Sequence, residues 1–265
     1  MVRITVIIPT QNRPKDLQRC LYGLADNDLS LLEEVIVIDD GSQIPIAEVI
    51  QVPGLPVLVI RNEQPCGAAA CRNIAGISAK SKIIAFLDDD AVPSPDWLKI
   101  IIQELKSDHG AITGRVLRFD KGLISQARQV RYNMRYTVVN KGQSVSFFSG
   151  GNSAIWTDLF QKVGGFNQHG SGGDNGLVAD LSGQGYKVHF IPELVILHRN
   201  SKGLKKAMIE AYNSGRFHPE QLRFREALHK VVSIKAIVTD GTPLVAVFNW
   251  GLNLLHLIGR IQRKK

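Results

Sequence analysis

Cysteine is scarce in this sequence of 265 residues. There are three, Cys20, Cys66 and Cys71, and neither their number nor their spacing marks a disulfide framework or a zinc site. A reducing compartment is the simpler setting. Aromatic residues make up only 7% of the chain. No Gly-x-Gly-x-x-Gly follows any apolar run, and no Walker-type loop is present, which argues against a dinucleotide site and against an ATPase. The N-terminus carries no charged-then-apolar leader and opens directly into Arg3-Ile4-Thr5-Val6-Ile7-Ile8-Pro9. The expectation is a cytoplasmic location.

What is present fits a folded domain. Hydrophobic residues are 44% and charged residues 21% of the chain, and both helical and strand-like periods occur, so a mixed α/β class is expected. The net charge of +8 is unevenly spread: from Arg199 onward there are 13 Lys or Arg against 4 Asp or Glu. The body is therefore nearly neutral and the tail basic, a pattern that suits an anionic partner such as a lipid surface or nucleic acid.

The first half alternates strand and helix. Apolar runs at Arg3–Pro9, Glu34–Asp40, Pro56–Ile60 and Ile83–Leu87 read as strands. Helical patterns begin near Arg13-Pro14, with Leu17, Leu21 and Leu24, and at the Ala-rich stretch Gly67–Lys80. This alternation predicts a parallel, Rossmann-like sheet. The fourth run ends in Asp88-Asp89-Asp90, at the strand end where open α/β sheets bind ligands. Three adjacent carboxylates need a compensating cation, and hard oxygens suit Mg²⁺ or Mn²⁺. The competing reading is a solvated acidic turn before Pro93 and Pro95.

Further on, Pro95–Lys106 reads as a helix and Ala111–Leu117 as a strand. Residues 119–144 are irregular and basic, with Arg128, Arg131, Tyr132, Arg135 and Tyr136, an interleaving that suits contact with nucleic acid or sugar and, more commonly, a mobile surface loop or helix. A short helix near Thr157 and a turn at Gly164-Gly165-Phe166-Asn167 follow. His169–Gly176 reads as a mobile glycine-rich loop, and Lys187–Ile191 and Leu194–Leu197 as the last strands. Lys202–Tyr212, Gln221–Val238 and Thr242–Arg260 have helical spacing. In the last of these Asn249, Asn253, His256 and Arg260 form one narrow polar stripe. With Trp250 and the basic end at 260–265, it reads as an in-plane interfacial helix, or as one packed on the body or on another subunit.

Taken in order, these pieces resemble the inverting family 2 glycosyltransferases of the GT-A fold. They are Val6–Thr10, Val37-Ile38-Asp39-Asp40-Gly41-Ser42, Gly67 with Ala70-Cys71-Arg72-Asn73, Phe86–Asp90 (a DxD-type motif), Gly164-Gly165-Phe166, Asp174 ahead of Gly185-Tyr186, and His198. The resemblance spans about residues 3–198. It implies a mixed, mainly parallel GT-A domain over 1–200, with a basic amphipathic helical tail over 201–265.

By that resemblance Asp90 and His198 hold the metal, Mn²⁺ or Mg²⁺, Asp89 the ribose or the metal's waters, and Asp88 shapes the turn. Pro9, Thr10 and Gln11 lie along the base or ribose, Asp40 accepts from the base, and Arg72 approaches the base or diphosphate. On residue chemistry alone, Arg72 suits a salt bridge to one of the acids, and Asp40 a turn cap. Asp174 is the implied general base. Relatives often carry further acids where Gly173 and Gly176 stand. The Gln-x-x-Arg-Trp signature of processive synthases is absent after His198. The resemblance thus implies an inverting hexosyltransferase-type enzyme of polysaccharide biosynthesis. It would add one sugar from a UDP-sugar to a glycan or lipid-linked acceptor, with Asn152, Trp156 and residues 119–148 toward the acceptor. The tail, residues 242–265, would meet an anionic surface on the cytoplasmic membrane face, and no nucleic acid is expected. The alternative is a nucleotide-sugar-binding or scaffold protein of this fold that has lost catalysis.

Overall fold

A computed structural model describes residues 2–137, 139–166, 173–200, 203–216, 221–226 and 242–262, with only the backbone of 173–175. Two compact units result. The first takes in residues 1–117, 138–168 and 173–198, and the second residues 118–137, 169–172 and 199–265.

The first unit is built on one sheet. Strands β1 (Ile4–Thr10), β2 (Leu32–Asp40), β3 (Val57–Asn62) and β4 (Ile83–Leu87) pair in parallel in the order β3-β2-β1-β4. Every residue of β1 and β4 is buried, which is why their sequences run apolar rather than alternate. Helix α1 (Pro14–Ala25) has proline in its first turn and buries Leu17, Leu21 and Leu24. Helix α2 (Ala68–Ser78) starts at Gly67, whose φ of +88° few other residues would accept. The strand order reverses between β1 and β4, so a crevice is expected at their C-terminal ends.

The chain then continues through β5 (Ala91–Pro93), α3 (Trp97–Glu104), β6 (Ala111–Arg118), α4 (Leu123–Tyr136), β7 (Ser144–Val145), β8 (Asn152–Trp156), α5 (Thr157–Lys162), α6 (Gly173–Gly183) and β9 (Val188–His198). Strand β8 pairs antiparallel with β4 and β6, and β9 antiparallel with β5 and β7. The sheet is thus mixed, as expected for a GT-A domain.

Several readings change. Strands β5 and β8 had no clear sequence signal: the first is three residues long, and the second reads Asn-Ser-Ala-Ile-Trp. The two final runs are one strand, β9. Pro192 falls between the residues that pair with β7 and those that pair with β5. The 119–144 stretch contains α4, and Gly173–Gly176 begins α6, while 167–172 lie outside the described residues.

The core beneath the acidic triplet is aromatic. Phe86 meets Phe166, Phe160 and Phe148 at ring-centroid distances of 5.0, 5.4 and 6.1 Å, mostly edge to face. All four are buried.

In the second unit, α7 (Leu204–Arg216) and α8 (Pro243–Ile261) pack closely. A Cβ on Gly215 would meet the His256 carbonyl, and one on Gly259 the Tyr212 carbonyl, so only glycine permits this approach. Thr242 caps α8, its hydroxyl accepting from Val245 N–H at 3.4 Å. The polar stripe of α8 faces inward: Asn249 and Arg260 are buried, and the Asn249 amide donates to the Ala127 carbonyl at 3.1 Å. Leu244 and Val247 are 64% and 67% exposed. The helix reading of Gln221–Val238 falls mostly outside the described residues, as do 263–265.

Truncating Phe86 to alanine should leave a cavity in this cluster and cost about 3–5 kcal/mol of unfolding free energy, read from denaturant melts. A loss under about 1 kcal/mol would mean that the cluster does not carry the core.

Candidate active site

Asp88, Asp89 and Asp90 follow β4 directly. Two like charges about 4 Å apart repel by about 4 kcal/mol in partly buried surroundings, so the triplet must be neutralised. Arg13, from the turn between β1 and α1, reaches Asp89 at 3.0 Å and Asp90 at 2.8 Å. Arg72, on the first turns of α2, reaches Asp88 at 2.7 Å, and its guanidinium lies 5.6 Å from the Phe166 ring centre. His198, the last residue of β9, places Nε2 3.0 Å from Asp90 and 3.9 Å from Asp88.

The three acids have distinct surroundings. Asp89 is 1% exposed and turned inward, accepting from the Thr10 hydroxyl at 2.7 Å. Burial raises its pKa most. Arg13 and Thr10 pull it back, Asp90 and Asp88 push it further, and the balance sits at about 7. Asp88, Asp90 and His198 instead converge, with one ligand atom from each within 4.8 Å of the others. Two carboxylate oxygens and an imidazole nitrogen form a donor set that suits Mn²⁺ or Mg²⁺. Backbone clearance is tight: a Cβ on Gly151 would overlap the Asp88 carboxylate.

A second carboxylate ends β2. One oxygen of Asp40 accepts from the Asn62 amide at 2.9 Å and Cys66 N–H at 2.8 Å, and the other from Gly67 N–H at 2.9 Å. Burial opposes its charge, but these hydrogen bonds outweigh it and hold the pKa at about 2. Gln11 donates to the Asp40 carbonyl at 2.9 Å. Asp39 is the turn cap, accepting from Ser42 and Ile46 N–H and from Arg61. Cys66 and Cys71, unremarkable in sequence, bring their sulfurs to 3.7 Å beside Asp40. Burial and the Asp40 carboxylate push both thiols up.

The residues read from sequence thus fall into two groups. Asp88, Asp89, Asp90, Arg72, Thr10 and His198 are joined by direct contacts or through Arg13. Asp40 and Gln11 sit at the end of the neighbouring strand. Pro9 is buried in β1. The backbone of Asp174 lies at the start of α6, and its side chain is outside the described residues. Asn152 does not face an acceptor. It is wholly buried, its carbonyl accepting from Trp97 Nε1 at 2.8 Å and its amide donating to the Arg115 and Leu194 carbonyls. The Trp156 indole donates to the Lys106 carbonyl at 3.2 Å. Arg13 and Asn62 were missed. The signal for Arg13 was its place three residues past the end of the first strand.

Comparison with known proteins bears on the family and the fold. The profile of "Glycosyl transferase family 2" matches residues 5–164. An uncharacterized glycosyltransferase of Haemophilus influenzae is 33% identical over 105 residues, 40% of this chain and 35% of that protein. Glycosyltransferase AglE of Haloferax volcanii is 26% identical over 209 residues, covering 74% of this chain and 66% of AglE. The chain therefore matches between about a third and two thirds of the length of these curated relatives. Among solved structures, the mannosyltransferase PcManGT of Pyrobaculum calidifontis, in complex with GDP-Man and Mn²⁺, superposes with a TM-score of 0.64. That match is at 18% identity, over 97% of this chain and 72% of that one, and it bears on the fold.

Asp40 has a folded pKa below its ordinary 3.8, so its contribution to stability is complete above pH 3.8 and is lost as pH falls through about 2. Asp40→Asn should lower the melting temperature at neutral pH and flatten the acid limb of the stability profile between those values. An unchanged acid limb in pH-dependent thermal melts would contradict this anchoring.

Proposed function

The chain belongs to glycosyl transferase family 2, and we propose that it is an inverting, metal-dependent transferase. It moves one sugar from a nucleotide sugar, with UDP-sugars the first candidates, to a glycan or lipid-linked acceptor. The observation that carries this reading is the convergence of Asp88, Asp90 and His198, where β5 pairs the end of β9 beside the turn after β4. The mannosyltransferase neighbour, which holds GDP-Man and Mn²⁺, supports it and puts GDP-sugars beside UDP-sugars in the test.

In this reading Asp88, Asp90 and His198 hold the cation, which when bound stabilises the charge growing on the leaving diphosphate. The chain's own residues prepare the site. Arg13 and Arg72 fix the carboxylates of Asp90 and Asp88. Asp89, anchored by Thr10, holds the turn from within rather than meeting ribose. Asp40 braces the loop from Asn62 to Gly67 against which the base would lie. Asp174 is the base: the acceptor oxygen bonds to the anomeric carbon as its proton passes to the Asp174 carboxylate. The bond to the diphosphate breaks on the opposite face, and its electron pair leaves with the diphosphate. The exposed apolar side of α8, with Leu244 and Val247, supports a peripheral position on the cytoplasmic membrane face.

Two experiments test this. Asp90→Ala should abolish Mn²⁺-dependent stabilisation by donor against heat. Asp174→Asn should keep that stabilisation while turnover falls by about 10²–10⁴-fold. Donor binding with no turnover by the unmodified chain across a broad acceptor panel would favour the scaffold reading, and unchanged turnover in both variants would exclude this mechanism. For the membrane, Leu244→Glu with Val247→Glu should release the chain from vesicles in flotation; retention would remove the apolar side of α8 from the contact.

A further inference from the structure

The second unit contains a cavity of about 310 Å³ lined by α4, α7, α8 and Asn200. Its wall is strongly cationic. Arg128, Arg131 and Arg135 lie at i, i+3 and i+7 on α4, so their guanidiniums share one face, and all three line the cavity. The single acid in the wall, Glu210, pairs with Arg128 at 3.3 Å. Arg131 donates to a neutral acceptor, the Asn253 carbonyl oxygen, at 2.9 Å. Like charges at this helical spacing oppose helix formation. Arg128 and Arg131 also tie α4 to α7 and α8 through Glu210 and Asn253, whereas the buried contacts of α4 are made by Ser125, Ala127 and Val130.

The rest of the lining is complementary to a particular kind of anion. Tyr132, Ser214 and His256 add groups able to donate hydrogen bonds, while Ile124, Ala207, Ala211 and Leu252 add apolar surface. Guanidinium forks match phosphate oxygens two at a time. A wall that is cationic on α4 and partly apolar on α7 and α8 fits a phosphate attached to hydrocarbon better than a bare inorganic ion. The same unit exposes Leu204, Met208 and Ile209 on α7 and Trp250 on α8.

We propose that this cavity is a phosphate-binding site, with Arg131 and Arg135 as its principal ligands, that takes the phosphate group of a lipid. The inference deepens the acceptor half of the proposed function and is independent of donor and metal, which are left out of its test. The full chain is floated with phosphatidylcholine vesicles, with and without phosphatidic acid, and titrated separately with inorganic phosphate by calorimetry. Binding should require phosphatidic acid. Arg131→Ala with Arg135→Ala should weaken it by about tenfold or more, as expected for lost charge-assisted hydrogen bonds. The control pair Lys205→Ala with Lys206→Ala removes the same charge from α7 outside the cavity and should change it far less. If the alanine pair fails to fold, Arg131→Lys with Arg135→Lys keeps the charge, loses the fork geometry and should still weaken binding. Asp90→Ala should bind vesicles as the unmodified chain does, which separates this test from that of the transferase reading. Binding of inorganic phosphate without vesicle binding would keep the anion site and assign it a soluble phosphorylated ligand. Equal loss in the alanine and control pairs, or no binding in either arm, would overturn the proposal.

Discussion

The charge balance around Asp88-Asp89-Asp90 is the constraint on which the first unit depends. A fully buried strand delivers three carboxylates to one point, and such a cluster survives only if cations meet it. The chain draws those cations from two places far apart in sequence, Arg13 after β1 and Arg72 on α2, and His198 at the end of β9 adds an imidazole nitrogen 3.0 Å from Asp90. Each comes from an element whose position the sheet already dictates. The parallel pairing of β1 with β4 sets Thr10 and Arg13 beside the triplet, and the antiparallel pairing of β9 with β5 returns His198 to it. The sheet order and the electrostatics of the site are therefore one solution to two problems.

That solution also separates the three acids by role. Asp89 is turned inward and held by Thr10, with its pKa raised mainly by burial. Asp88 and Asp90 remain with His198 as a convergent donor set. Because Arg13 and Arg72 also bind these carboxylates, the donor set is held in place by contacts within the chain itself. One strand away Asp40 is spent on its own loop, which orders the Asn62–Gly67 segment before any ligand arrives.

In the second unit, helix α8 buries Asn249 and Arg260 of its polar stripe together with Val245, Leu252 and Leu257, and leaves Leu244, Val247 and Trp250 exposed. Asn249 and Asn253 use their amides on α4, while Gly215 and Gly259 let the α7 and α8 backbones approach. These polar contacts to α4, the Asn249 one buried, help fix which way this helix faces, and leave an apolar surface outward that water alone would not favour.

The sequence by itself determined the alternating first half, because a strand buried on both faces must be apolar throughout and a helix must repeat its leucines at its own period. It also marked the acids at strand ends and, in order, the signature of family 2. It could not yield β5 and β8, which are too short or too polar to announce themselves and exist because longer neighbours offer them edges. Nor could it tell Asp88 from Asp89, or a ligand-facing Asn152 from a buried one. Adjacent residues of one type differ only in what surrounds them, and those surroundings come from residues tens of positions away. The polar stripe on α8 was plain in the sequence. Only the tertiary structure decided that it faces protein, since periodicity defines the faces of a helix and packing alone decides which one is covered.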